Sequence, residues 1–188
     1  MSEAEKITLY HGSYCEVSAP DLNKCAKYKD FGRGFYLTTS FEQAERFSLL
    51  SLKKALSNNL IEEDPGYGTV SVFCCKVSCF KKIKVHEFEG ADSAWLKCVA
   101  AHRKYMEFSD IVREYEKYDV ISGKIANDAT NAVITAYMAG AYGEAESENA
   151  VNICISLLLP ERLKDQYCFR SEKAISCLEF LESKKIWS

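Results

Sequence analysis

Of the three histidines in the 188-residue chain, His11 stands directly behind an apolar run, Ile7 to Tyr10, and is followed by Gly12 and Ser13. A strand that ends this way exposes an imidazole, a hydroxyl and a stretch of main chain with no Cβ to shield it. Three other polar groups fall at similar places: Arg33-Gly34-Phe35-Tyr36, Asn127-Asp128 and Gln166. Strand ends and tight turns are where side chains and backbone amides converge on a ligand. Each group also has a plainer role. His11-Gly12 reads as a strand-to-turn transition, Tyr36 as a core residue and Arg33 as a solvated turn residue. Asp128 reads as a helix N-cap, and Glu172 as an acid favoured by a helix dipole. The sequence has no phosphate loop, no G-x-G-x-x-G, no G-x-S-x-G and no H-E-x-x-H.

The elements that must position these groups follow from hydrophobic spacing and turn signals. Strands are expected at Ile7 to Tyr10 and, past the glycines of Phe31-Gly32-Arg33-Gly34, at Phe35 to Thr38. Ser40-Phe41-Glu42-Gln43 has the capping-box pattern. The helix behind it runs along Phe41, Ala44, Phe47 and Leu50 and fades near Asn58-Asn59. After the turn Asp64-Pro65-Gly66-Tyr67-Gly68, the β-branched run Thr69 to Val77 reads as a central strand. Lys82 to Phe88 alternates as a strand with one wet face, and its lysines suit an edge. Trp95, Val99, His102 and Met106 share one stripe, so Asp92 to Glu116 reads as one helix with His102 a core residue. Tyr118 to Ile125 is the next strand, and a helix from Asn127-Asp128 should end at Gly140. A helix over 144–159 is closed by Pro160. Gln166 to Phe169 is a last short strand, and Ser171 opens a C-terminal helix along Ile175, Leu178 and Leu181. Strands and helices mix without βαβ regularity, which makes the class α+β.

Composition narrows the rest. The chain is one domain's length, with 47% hydrophobic and 27% charged residues, and is therefore expected to be globular. Lys plus Arg total 24 against 27 for Asp plus Glu, and the sequence pI is near 5.7. That balance disfavours binding nucleic acid by charge alone. No apolar stretch reaches the roughly 20 residues of a membrane helix, so no membrane partner is expected. The nine cysteines are scattered and form no C-x-x-C. They suit small buried hydrophobes in a reducing cytoplasm, with neither a structural disulfide nor bound zinc.

Taken in order, Tyr10-His11-Gly12-Ser13, Phe31-Gly32-Arg33-Gly34-Phe35-Tyr36-Leu37-Thr38-Thr39 and Gln166-Tyr167-Cys168-Phe169 resemble the ordered blocks of the ADP-ribosyltransferase superfamily. More closely, the chain resembles the bacterial DUF3990 family of that superfamily. Phe41-Glu42-Gln43-Ala44, Tyr118-Asp119-Val120-Ile121, Ala126-Asn127-Asp128 and Ser171-Glu172-Lys173-Ala174 extend the likeness over nearly the whole length. The resemblance implies split antiparallel sheets with flanking helices in a single domain over residues 1–188.

It also implies a histidine, tyrosine, glutamate signature, in which His11 and Tyr36 match the first two positions and Gln166 occupies the third. On that pattern His11 donates to a ribose hydroxyl, Gly12 lets the main chain approach the nicotinamide carboxamide, and Ser13 belongs to the same NAD-binding set. Tyr36 stacks on the nicotinamide, Arg33 pairs with the pyrophosphate, and Asp128 is a possible helper. The implied activity is NAD-dependent ADP-ribosyl transfer, with NAD as co-substrate and an unidentified protein, nucleic acid or small molecule as acceptor. Gln166 offers a hydrogen bond where a carboxylate would face developing oxocarbenium charge. Three alternatives stay open: an NAD glycohydrolase, a non-catalytic module that binds NAD or ADP-ribose, and an interaction protein whose polar strand ends only stabilise loops.

Overall fold

The computed structural model describes residues 5–104, 109–125, 128–144, 147–159 and 163–188. Its strands are β1 (Lys6–Ser13), β2 (Phe35–Leu37), β3 (Tyr67–Lys76), β4 (Val85–Glu87), β5 (Val120–Lys124), β6 (Asp165–Phe169) and β7 (Leu178–Trp187). Its helices are α1 (Phe41–Ser57), α2 (Val77–Phe80), α3 (Ser93–Arg103), α4 (Ser109–Tyr115), α5 (Asp128–Met138), α6 (Glu148–Leu158) and α7 (Glu172–Ile175). This is an α+β fold with two sheets. The first has the order β1-β3-β7 and is antiparallel; the second has the order β2-β6-β5-β4. Within the second sheet β4 runs parallel to β5, so that sheet is mixed rather than wholly antiparallel.

β3 is central because its residues from Gly68 to Cys75 are buried on both faces, and such a strand needs a partner on each edge. One face of its sheet carries α1. A Cβ on Gly12 would lie 2.1 Å from Ala44 O, and one on Gly68 would lie 2.6 Å from Ser48. These two glycines let the helix axis come down onto the strands. The other face meets the second sheet through Leu9, Phe73, Phe35, Leu37, Val120 and Phe169. The far face of the second sheet packs on the helices α3 to α6 through residues such as Ile121, Cys168, Trp95, Ile134 and Cys154. The layers therefore run helix, sheet, sheet, helices. No helix of the described residues is long and apolar enough to cross a membrane.

Several expected elements differ. β1 does not stop at His11; the ladder with β3 continues to Ser13 opposite Thr69. The single helix expected over Asp92 to Glu116 is two, α3 and α4. At the end of α3, Arg103 leaves to bond Asp30 and Lys104 Nζ bonds Met138 O at 2.9 Å. The C-terminal helix lasts one turn, and the chain then returns as β7 beside β3. The three- and four-residue spacing of Ile175, Leu178 and Leu181 mimics a helix face, but β3's open edge takes the segment. Phe180 seats on Phe73 at 5.7 Å between ring centroids, and Leu181 falls at a register shift and stays exposed. The capping box closes only half way. Ser40 accepts from Gln43 N–H, but Ser40 N–H goes to Thr38 Oγ1, and Gln43 Oε1 is buried with no partner. Pro160 and Met106 lie outside the described residues.

Candidate functional site

The two sheets touch at one bridge and then part. Tyr10 N–H donates to Thr38 O at 2.8 Å and Thr38 N–H to Tyr10 O at 3.0 Å, the bridge between β1 and β2 among the described residues. In an antiparallel ladder, residues two apart turn their main-chain groups the same way. Gly12 therefore directs its N–H and C=O away from β3, as Tyr10 does, into the split beyond the bridge. No main-chain group among the described residues bonds it there. The result is an adjacent donor and acceptor at an open edge, with no side chain of their own to cover them.

His11 lies on the side of β1 that faces the second sheet, its ring 4.3 Å from Phe35. Its Nδ1–H donates to Tyr36 O at 2.8 Å, which ties β1 to β2 just beyond the bridge. Burial lowers the imidazole's pKa, so the neutral ring dominates. With Nδ1 spent on a carbonyl, Nε2 of that neutral ring is an acceptor. This reverses the expected donation from His11 to a ribose hydroxyl. Ser13 is buried near the split, and Tyr14 N–H behind it bonds Ser51 Oγ at 3.1 Å on α1.

Tyr36 points to the other face of β2, toward the helices. Its hydroxyl donates to Gly32 O at 2.8 Å and accepts from Phe31 N–H at 2.9 Å. Burial raises its pKa well above the usual phenol value. Tyr36 thus staples the loop that precedes its own strand. That loop needs its glycines for space: a Cβ on Gly32 (φ 78°) would meet His102 Cδ2 at 2.6 Å, and one on Gly34 would meet Cys168 Sγ at 2.5 Å.

Gln166 shares Tyr36's face, because Tyr36 pairs with Cys168 two residues along β6. It is only 4% exposed. Its Nε2 donates to Asp30 Oδ2 at 3.0 Å and to Lys124 O at 3.3 Å. Asp30, also buried, receives Arg103 Nε–H at 3.0 Å and Nη2–H at 2.6 Å through Oδ1. Asp30 and Arg103 were not among the candidates from sequence. They stand 73 positions apart, and Asp30 stands 136 from Gln166, so no local spacing connects them.

Arg33 points elsewhere. Its Nε and Nη2 donate to Leu22 O at 2.8 Å and Asn23 O at 2.7 Å. It lines a cavity of about 290 Å³ with Asn23, Tyr118, Asp119 and Arg170. His11, Gly12, Tyr36 and Gln166 do not line that cavity. The structure thus brings His11, Gly12 and the Tyr36 main-chain carbonyl together at the split, but the Tyr36 ring lies beside Gln166 on the helix-side face, where it cannot stack on a nicotinamide held in the split. His11 lies across the sheet from Gln166, and Arg33 lies at the far end of β2. Asp128 begins α5; Asn127 and the Asp128 side chain lie outside the described residues. All nine thiols are free.

Neither the curated proteins nor the solved structures compared with this chain gave a match. A family model described as "Protein of unknown function (DUF3990)" matches residues 7–180, and the chain belongs to that family.

Proposed function

We propose that the protein is an NAD-dependent ADP-ribosyltransferase. The observation that supports this reading is the split between β1 and β2, where Gly12 offers one main-chain donor and one acceptor beside the His11 imidazole. A primary carboxamide such as that of nicotinamide needs one of each. His11 Nε2, an acceptor in the neutral ring, suits a ribose hydroxyl next to it. In the reaction the bond between nicotinamide nitrogen and ribose C1 breaks, and nicotinamide leaves with the electron pair. A nucleophile on the acceptor then bonds C1 and gives up its proton to solvent water. Water in the acceptor's place makes the same site a glycohydrolase.

A second reading has its own observation. The Gln166 nitrogen is held by two acceptors, and no carboxylate replaces it at that position. A module that binds NAD or ADP-ribose without turnover accords with that. The test incubates the purified protein and labelled NAD with cell lysate, then digests the labelled material with protease or nuclease. Label on a macromolecule with nicotinamide release supports the transferase. Nicotinamide release without label indicates the glycohydrolase, and NAD binding with neither indicates the binder. Absence of NAD binding overturns all three.

A further inference from the structure

At the far end of β2 from the split, the cavity of about 290 Å³ is lined by two arginines, Arg33 and Arg170. Phe35 pairs with Phe169, so the chain entering β2 and the chain leaving β6 lie side by side. Gly34 leaves room for the second arginine's stem, since a Cβ there would meet Arg170 Cγ at 3.2 Å. Both guanidiniums are held by main-chain carbonyls. Arg33 spends its Nε–H and one Nη2–H on Leu22 O and Asn23 O, and Arg170 spends one Nη1–H on Tyr115 O at 2.7 Å. Carbonyls orient a guanidinium without cancelling its charge. Each guanidinium has five N–H donors, which leaves three on Arg33 and four on Arg170 with no partner among the described residues. Two carboxylates, Asp119 and Glu116, line the same cavity, yet neither pairs with an arginine among the described residues. Asp119 instead accepts Ser171 Oγ–H at 2.6 Å and Lys84 N–H at 2.8 Å. The Ser171 and Lys84 bonds, with the Lys173 and Lys84 charges nearby, hold its carboxyl below the usual range. Its charge is thus balanced by other partners, and Glu116 stands exposed.

We propose that this cavity is a binding site for a phosphate group, free or as the monoester of a small molecule, held by Arg33 and Arg170 and separate from the split. Guanidinium forks match oxyanions, and their charge-assisted bonds are among the stronger ones. The unspent donors on two forks outnumber the roughly four acceptor sites of a carboxylate, whereas a phosphate brings at least a third oxygen and more charge. None of His11, Gly12 and Tyr36 lines the cavity. Phe35, 4% exposed with its ring against His11, stands between Arg33 and the split along β2. Arg33 therefore serves this anion rather than the pyrophosphate of a nucleotide in the split, and the proposal does not depend on the NAD reading.

The experiment titrates inorganic phosphate into the full chain and follows the arginine Nε–H signals by ¹⁵N NMR, with chloride at matched ionic strength as control and glycerol 3-phosphate as a parallel probe. Phosphate should shift the Arg33 and Arg170 signals saturably, and chloride should not. Tighter binding of the ester assigns a phosphomonoester as occupant, and equal affinity assigns the free ion. Arg170→Lys keeps the charge but loses the fork, and Arg33→Gln loses both; each should weaken phosphate binding by at least about tenfold. Shifts no larger than those with chloride overturn the proposal in wild type alone, whether or not the variants fold. Binding that both variants leave unchanged overturns the assignment to these arginines. NAD is then added to the phosphate complex. Displacement of phosphate from the two arginines makes the cavity part of a nucleotide site and overturns its separateness. Arginine signals that NAD leaves in place support a separate site, and they do so even if NAD binds nowhere and the functional reading fails.

Discussion

Replacing Gln166 with Glu would set a carboxyl group 3.0 Å from Asp30 Oδ2 and 3.3 Å from Lys124 O, positions now served by two N–H bonds. Two carboxylates at that distance do not both ionise readily, so one of them keeps a proton and bridges to the other. The pKa of the pair is then raised above the unfolded value. Its stabilising contribution is present at low pH and disappears as pH rises through the raised value. We expect Gln166→Glu to be close to wild type at pH 4 and less stable by about 1–3 kcal/mol at pH 8, the cost of an unsatisfied buried polar group. Thermal melts at both pH values measure it. A gap that narrows with rising pH would show that the amide is held the other way round. The same geometry weighs against a gain in turnover from a carboxylate at 166. The site around Gln166 is built for a donor.

At the level of elements, Gly12 matters first to the packing of α1. Its missing Cβ leaves room for Ala44 O and Ser48 N, at 2.1 Å and 2.8 Å from where that atom would be. Backbone cannot swing aside as a flexible side chain does, so Gly12→Ala should push α1 off the sheet. We expect a loss of about 1–3 kcal/mol, typical of overpacking, read from denaturant midpoints. A variant as stable as wild type would mean that the helix rides higher than described. The element pattern also shows where sequence was informative. The β-branched run of β3, the Ser40 cap of α1 and the short β6 were readable because each depends on neighbours within a few residues. β7 was not, because its strand state comes from the free edge of β3, more than a hundred positions away in sequence. His11 was singled out by its place at a strand end, and Tyr36 and Gln166 took their standing from the resemblance, but Asp30 reads as one more polar loop residue in Lys29-Asp30-Phe31. Its meaning depends on Arg103 and Gln166, and only folding brings those three together.

Over the whole molecule, the buried histidines make stability depend on pH in the opposite sense to the Gln166 variant. His102 is 3% exposed; its Nδ1–H donates to Cys98 O at 2.9 Å, and its Nε2 has no partner. Burial lowers its pKa from 6.5 to about 4, with the nearby Arg170 charge adding to that and the Cys98 bond and Asp30 opposing it. Between pH 6.5 and about 4, the unfolded chain binds a proton here that the folded chain does not. Stability therefore rises with pH across that window and is lost on acidification. The shift corresponds to on the order of 3 kcal/mol at full protonation. His11 adds in the same direction, since burial lowers its pKa too. His102→Asn keeps an N–H for Cys98 O and removes the titration, so its stability should fall less than wild type's between pH 7 and pH 4. Urea midpoints for both proteins at pH 7, 5.5 and 4 give the comparison. Parallel curves would mean that His102 is not held neutral by its surroundings, and the acid sensitivity would then have to come from His11 or from the carboxylates.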